Sequence, residues 1–475
     1  MAQGHAQSNG GQVKDLTQGS ITRQLVAMAV PIAIGMLFQT LYLLVDLYFV
    51  AGIGDAAIAG VASAGTAGFV ILALTQMLGV GTVTLVSHAV GRKDQPAANL
   101  VFNQSVLLSA ICGVLTLIAG FLVTGPYLRA IAADPAVVAA GTSYLYWYTP
   151  GLALQFALVA MASALRGTGI VQPTMVVQVL TVLLNTLLAP ILISGWVTHH
   201  PLGTAGAGLA STVSVGAGVV FLWVYFVRLE HYVALHPQQW RPRWTLIRSI
   251  LNIGLPAGGE FLMLFVILGV IYWVIRGFGP AAQAGFGVGG RVMQGLFLPV
   301  MAIAFAVPAV AGQNYGARQY ARVRQVFGRA VLLSSALMIA LTLVCQWRSE
   351  WFIQIFTHQP DAVAVGAGYL RVISWNFVAT GLIFTCSGMF QALGNTWPSL
   401  LSSASRLLTF VLPAVLMSRL PHFTLTHVWY LSVATVTLQA VTSFTLLVRE
   451  FRRKLGRATA ATTAESAATP DAERN

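Results

Sequence analysis

Twelve stretches of this 475-residue chain run for about 20 residues or more with almost no charge, the length at which a helix crosses a bilayer. They fall at approximately 24–51, 57–87, 99–124, 136–163, 171–195, 205–228, 246–275, 283–310, 325–346, 364–390, 398–418 and 427–449. In hydrocarbon every backbone N–H and C=O must be bonded within its own segment, so such stretches have to be helical. A soluble fold is excluded by charge. Charged residues are 8% of the chain, against about 25% in soluble domains, too few to cover a surface of this size. The expected class is an all-α polytopic membrane protein.

The remaining charges orient it. Nineteen of the 26 Lys and Arg fall on the side that carries both termini, five on the other, and Arg291 and Arg406 lie within spans. An excess of cations marks the cytoplasmic side, so both termini are expected to be cytoplasmic. The same reading absorbs the net charge of +13 without nucleic acid as a partner. Residues 1–20 are polar, with no short apolar region before a cleavage site, and are expected to be a disordered tail without a cleaved signal peptide. Residues 21–228 and 246–450 each hold six spans. Residues 229–245 form a basic cytoplasmic linker, a natural hinge, and 451–475 read as a disordered basic tail. Cys112, Cys345 and Cys386 sit in apolar runs and are expected to be free thiols.

The two halves repeat. At an offset of 225 residues Pro31 pairs with Pro256, Gly91 with Gly316, Val106-Leu107-Leu108-Ser109 with Val331-Leu332-Leu333-Ser334, Tyr144-Leu145 with Tyr369-Leu370, Gly169 with Gly394 and Pro173 with Pro398. Apolar matches are cheap in a membrane protein, but prolines and loop glycines in one register are not. Six spans per unit is an even number, so the repeat is parallel, related by an axis along the membrane normal. The expected architecture is twelve transmembrane helices in two pseudo-symmetric six-helix bundles around a central cleft. Rocking of one bundle against the other would expose that cleft to each side in turn.

Eleven of the 13 acids lie in loops or tails, which leaves Asp46 in the first span and Glu260 in the seventh. A charge at mid-span costs about 2.5–3.5 kcal/mol on insertion scales, so its retention points to function. Asp46 is expected to be an ion-coupling group that takes and releases a proton, and Asn185 in the fifth span to hydrogen-bond it. Glu260, four residues past Pro256, is a possible second polar site. Pro31, Pro173, Pro256 and Pro398, with Pro190, are expected to break or bend spans. Gln39, Tyr42, Trp147, Phe156, Trp273, Phe305 and Trp375 are candidates to line the cleft, each with packing as its alternative, and Arg291 and Arg406 are read as structural. No nucleotide-binding glycine loop, metal-spaced Cys/His set or nucleophile elbow is present, so neither an enzyme nor a metal site is expected.

Several segments, taken in order, resemble the multidrug and toxic compound extrusion (MATE) transporters, within the superfamily that includes lipid-linked saccharide flippases. They are "DLYFVAGIGDAAIAG" at 46–60, "VSHAVGRKD" around Gly91, "LRGTGIVQPTM" at 165–175, "LNTLLAPILI" at 184–193, "GTAGAGLAST" at 203–212, "GLPAG" at 254–258, "AGQNYGA" at 311–317 and "FQALGNTWPS" at 390–399. The resemblance spans roughly residues 20–450. It implies export of organic cations or other amphipathic small molecules in exchange for H⁺ or Na⁺, with no other cofactor. Asp46 matches the family's ion-binding acid of span one, and Asn185 the asparagine beside it.

The sequence departs from the family at Ala189, where one branch has an acid, and in the tenth span, which has no Asp or Glu. Those gaps favour H⁺ over Na⁺, which needs several oxygen ligands. The expected setting is a bacterial inner membrane, with the lipid bilayer and a small-molecule substrate as partners and the monomer as the working unit. A lipid-linked saccharide flippase is the alternative within transport, and a non-transporting receptor or scaffold the alternative outside it.

Overall fold

The computed structural model describes residues 14–456 apart from Thr198, His231 and Pro421. Thirteen helices account for nearly all of it: α1 (Ile21–Ala51), α2 (Asp55–Gly91), α3 (Gln95–Ile131), α4 (Pro135–Gly167), α5 (Gln172–Ile193), α6 (Thr204–Arg228), α7 (Trp244–Ile275), α8 (Pro280–Gly316), α9 (Tyr320–Gln354), α10 (Pro360–Ile373), α11 (Phe377–Ala392), α12 (Trp397–Met417) and α13 (Leu425–Phe451). A 3₁₀ turn at Ser374–Asn376 joins α10 and α11 into one span, Pro360–Ala392, so the described residues hold twelve helices long and apolar enough to cross a membrane. The chain is a multi-pass membrane protein. Local chemistry sets several boundaries. Ser20, Asp94 and Asp134 accept from the backbone N–H of Arg23, Ala97 and Ala136, capping α1, α3 and α4. Proline in the first turn of α3 and α4 suits positions whose N–H has no intrahelical acceptor.

The two halves are held together by glycines. On α2, a Cβ at Gly91 would lie 2.0 Å from the carbonyl oxygen of Gln313 on α8, and one at Gly81 2.5 Å from that of Ile250 on α7. The partners reciprocate: a Cβ at Gly254 would lie 2.0 Å from the Met77 carbonyl oxygen, and one at Gly316 2.2 Å from that of His88. Small residues let helix backbones approach this closely in a bilayer. Hydrogen bonds cross the same seam. Thr84 Oγ1 donates to the Gln391 carbonyl at 3.0 Å, and a His88 ring nitrogen lies 2.6 Å from that of Ala392. These contacts run from the terminus-bearing end to about mid-span, where the rings of Phe69 on α2 and Phe265 on α7 are 4.3 Å apart. Further along, a Cβ at Gly65 on α2 or at its repeat mate Gly290 on α8 would meet no atom within 4 Å.

Four sequence expectations are corrected by the structure. Residues 14–20 are not a free tail: Leu16 is fully buried, its N–H donates to Gln313 Oε1 at 3.0 Å, and its carbonyl accepts from Asn314 Nδ2 at 3.1 Å. Lys14 N–H donates to the Thr168 carbonyl, so this strap touches both halves. Within it, the Thr17 hydroxyl and N–H both donate to Asp15, which holds that carboxyl below its ordinary value. Residues 1–13 and 457–475 lie outside the described residues. The start of the basic tail, Arg452–Gly456, continues α13 as a π-helical turn, with Leu455 buried and Arg453 paired to Glu450 at 2.8 Å.

The 229–245 linker is docked on α3. Asn103 accepts from His236 N–H at 2.8 Å and donates to the Ala234 carbonyl at 2.9 Å, and Gln104 bridges Arg241 and Arg243. Bound in this way to the first half, it leaves little slack to act as a hinge. Of the prolines, Pro31, Pro190 and Pro256 do lie inside helices, but Pro173 and Pro398 occupy the second residue of α5 and α12. Those two start helices and bend nothing, because a first-turn N–H has no acceptor to lose.

Gly91→Val is expected to force α2 and α8 apart, at a cost of about 1–3 kcal/mol from overpacking. Thermal melting in detergent should fall, and a cysteine introduced at Ser87, buried in the seam against Pro308 and Gly312 of α8, should become reactive to a soluble maleimide. A melting temperature and labelling rate equal to the parent's would show that the seam tolerates a side chain there.

Candidate ion-coupling site

Asp46 lies on α1, 25 residues after its start, about 37 Å along the helix at 1.5 Å per residue. It is 6% exposed, and its Oδ1 is buried with no hydrogen-bond partner. The Tyr144 hydroxyl of α4 lies close enough to interact with the carboxyl. Tyr42, one turn earlier on α1, and Tyr148, one turn later on α4, both lie within its electrostatic reach. The Tyr144 and Tyr148 rings are 5.3 Å apart between centroids. The acid is therefore surrounded by three phenol groups from two helices.

Asn185 is fully buried on α5 and does not bond Asp46 as expected from sequence. Its Nδ2 reaches the Tyr42 hydroxyl at 3.4 Å and Ser211 Oγ on α6 at 3.5 Å, and its Oδ1 has no partner. Tyr42 thus stands between the amide and the acid. The tight approach of α6 to α4 completes the group: a Cβ at Gly208 would lie 2.4 Å from the Tyr144 carbonyl oxygen, so only glycine lets Ser211, three residues on, come this near. All of these residues come from the first half, α1, α4, α5 and α6.

The other candidates are scattered. Glu260 lies in the second half, partly buried, where its Oε2 accepts from Ser399 at 2.7 Å and Ser387 at 3.0 Å. Phe156 lines nothing, since it is fully buried against Leu78, Leu108, Ala160, Ile247 and Ile250; its spacing in the span gave no sign of which face met α7. Phe305 sits at the seam, with the Arg166 guanidinium of the other half 5.6 Å from its ring centre. Trp273 is 45% exposed with Arg276 over its ring, while Trp147 and Trp375 are 50% and 68% exposed. Gln39 is exposed on α1. Sequence reasoning missed Tyr144, Tyr148 and Ser211. The signal was present in the four-residue spacing of the two tyrosines, which places both on one helix face, and in the repeat, where Tyr144 pairs with Tyr369.

A buried acid among phenols and an amide, set within one of two repeated six-helix bundles, is the kind of intramembrane polar group that membrane transporters carry. The MatE family profile matches residues 31–191 and again 256–416, two copies 225 residues apart as the internal repeat requires, and the chain belongs to the MATE family of transporters. It is 27% identical over 381 residues to the probable multidrug resistance protein YpnP of Bacillus subtilis, covering 80% of this chain and 84% of that one. It is 25% identical over 387 residues to the multidrug export protein MepA of Staphylococcus saprophyticus, covering 80% and 83%. Among solved structures, a MATE transporter in complex with MaL6 superposes with a TM-score of 0.86 at 25% identity, covering 92% of this chain and 98% of that one. An outward-facing multidrug resistance MATE transporter superposes with a TM-score of 0.87 at 24% identity, covering 94% and 99%.

Tyr144→Phe removes a hydroxyl that interacts with Asp46 and is expected to cost about 1 kcal/mol of stability. Asn185→Ala should cost less, because its donors act at 3.4 and 3.5 Å, where hydrogen bonds are weak. Melting of the two variants in the same detergent checks this. A larger loss in Asn185→Ala would mean that its amide oxygen is bonded in the working protein.

Proposed function

We propose that the chain is a multidrug efflux transporter that exports organic cations or other amphipathic small molecules in exchange for H⁺, with Asp46 as the carboxyl that carries the proton. One observation carries this reading: a buried Asp46 whose Oδ1 has no donor in a bundle otherwise rich in paired groups. An orphan carboxylate oxygen in a low-dielectric site is costly, and protonation removes the charge that makes it so. The protonated acid then becomes a donor to a neighbouring oxygen. When the cleft wets, the ionised form is solvated and the proton leaves.

The fold supports alternating access, because the contacts between the halves run from one end to about mid-span and leave the other end free. With the termini in the cytoplasm, as the cation bias argues, this is the outward-facing state. The names of YpnP and MepA, a multidrug resistance and a multidrug export protein, support the substrate class. The driving force is sufficient: one pH unit supplies about 1.36 kcal/mol per proton, and one charge moving down 100 mV adds about 2.3 kcal/mol.

Na⁺ is the second reading, and the orphan Oδ1 atoms of Asp46 and Asn185 favour it, as a hard cation prefers oxygen ligands. Only one carboxylate is on hand, whereas a proton needs no more than that. A bacterial inner membrane and a monomeric working unit complete the proposal.

Inverted vesicles given a lumen-acid pH gradient should take up a cationic dye, and a Na⁺ gradient alone should not drive it. Asp46→Asn should abolish the pH-driven uptake, and Glu260→Gln should leave most of it. Uptake that follows Na⁺ would reassign the ion, and uptake that survives Asp46→Asn would remove Asp46 from the coupling step.

A further inference from the structure

The second half has its own polar group in a span, and its charge is opposite. Tyr369 of α10 is the repeat mate of Tyr144, the tyrosine that interacts with Asp46. Around it stand Tyr272, Phe286 and Trp429, from α7, α8 and α13: Tyr369 and Trp429 are 4.8 Å apart between ring centres, Phe286 and Tyr369 5.3 Å, Tyr272 and Phe286 5.0 Å. Where the first half sets an acid beside its tyrosines, this half sets Arg406, whose guanidinium interacts electrostatically with Tyr369.

Arg406 is the tenth of 21 residues in α12, so it sits mid-span. It shares the helix face of the buried Ser399, Ser403 and Phe410, opposite Leu401, Leu408 and Leu412, each 61% exposed. It therefore points into the bundle and away from lipid. A structural arginine there would need acceptors for its N–H groups, yet its Nε is buried without a partner. The ion pairs among the described residues join Arg371 to Glu350 and Glu450 to Arg453 and Lys454. Glu260, the span acid of this half, is engaged by Ser387 and Ser399. An unpaired cation at mid-span is costly to insert, and such residues line substrate or ion pathways.

We propose that Arg406 receives a carboxylate on the transported molecule. This rests on the transporter reading above and narrows its substrate class to amphiphiles that carry an acid group, zwitterions included. A guanidinium fork matches a carboxylate with two parallel N–H···O bonds, while Tyr369, Phe286 and Trp429 are buried in the core of this half. The cationic end of a zwitterion would then be left to the Asp46 half. A lipid phosphate would satisfy the same fork, and it is one of the outcomes of the test.

The probes are rhodamine B, which carries a free carboxylate, and its ethyl ester, which does not. Binding to the purified full chain in lipid nanodiscs is read by fluorescence anisotropy, independently of transport. Wild type is expected to bind the acid about tenfold tighter than the ester, the factor that about 1.4 kcal/mol corresponds to. Arg406→Gln should erase that preference by weakening the acid alone, with the ester within about twofold, and Arg406→Lys should restore part of it, since it keeps the charge and loses the fork.

No preference in wild type, or an equal loss of both dyes in Arg406→Gln, would overturn the proposal. Displacement of the acid by a short-chain phosphatidic acid but not by free benzoate would assign the site to a lipid headgroup and overturn it as well. Should Arg406→Gln fail to fold, the wild-type preference and its partial retention in Arg406→Lys still decide. Failure of the transporter reading shows separately, as gradients that move neither dye while the acid preference in binding persists.

Discussion

Backbone meeting backbone at the glycine seam is the contact on which the rest of the molecule depends. At Gly91, Gly81, Gly254 and Gly316 a single methyl group would fall 2.0–2.5 Å from a carbonyl oxygen across the seam. In a bilayer there is little hydrophobic force between apolar helices, so close packing and polar contacts must do the holding. The seam supplies both, with Thr84 and His88 bonded to the last carbonyls of α11. Its position at one end of α2, α7 and α8 joins the halves there and leaves room at the other end. The N-terminal strap adds to the same end, since Leu16 lies between Gln313 and Asn314 while Lys14 reaches Thr168. Any separation of the halves at this end has to undo these bonds together.

The repeat makes the two bundles alike in backbone, while their polar equipment differs. Asp46 has Ile271 at its repeat position, and Arg406 has Thr181. Tyr144 and Tyr369 are retained in both, one beside an acid and the other beside a guanidinium. The shared tyrosine suits either neighbour, because a phenol hydroxyl donates to a carboxylate and its ring and oxygen accept a cation. One scaffold built twice thus places an acid beside its tyrosine in one half and a guanidinium beside it in the other.

Much of this was legible in the chain before folding. Span number and approximate limits follow from the length of the apolar runs, because a bilayer of fixed thickness leaves helices no other option. The parallel repeat follows from prolines and glycines in one register, and Asp46 stood out because acids are so rare in spans. The neighbours of Asp46 were harder. Asn185 was paired with the acid from sequence, yet Tyr42 stands between them, as the rotation of α5 about its own axis is set by packing and not by period. Phe156 looked like a cleft aromatic and is fully buried. The strap at 14–20 and the linker on α3 looked like free polar chain, since hydrogen bonds from Asn99, Asn103 and Gln104 to backbone carbonyls and amides leave no pattern in sequence.

The sequence by itself determined that this chain is a bilayer-spanning, twice-repeated bundle of helices with two acids and two arginines within its spans that needed a reason to be there. Those are consequences of solvent and covalent length, which act on each segment alone. Tertiary structure decided which groups meet: three tyrosines around Asp46, two serines on Glu260, and no acceptor at all for the Nε of Arg406. The physical reason is that helix rotation and separation come from close packing summed over many neighbours, glycine seams above all, and no single segment carries that information.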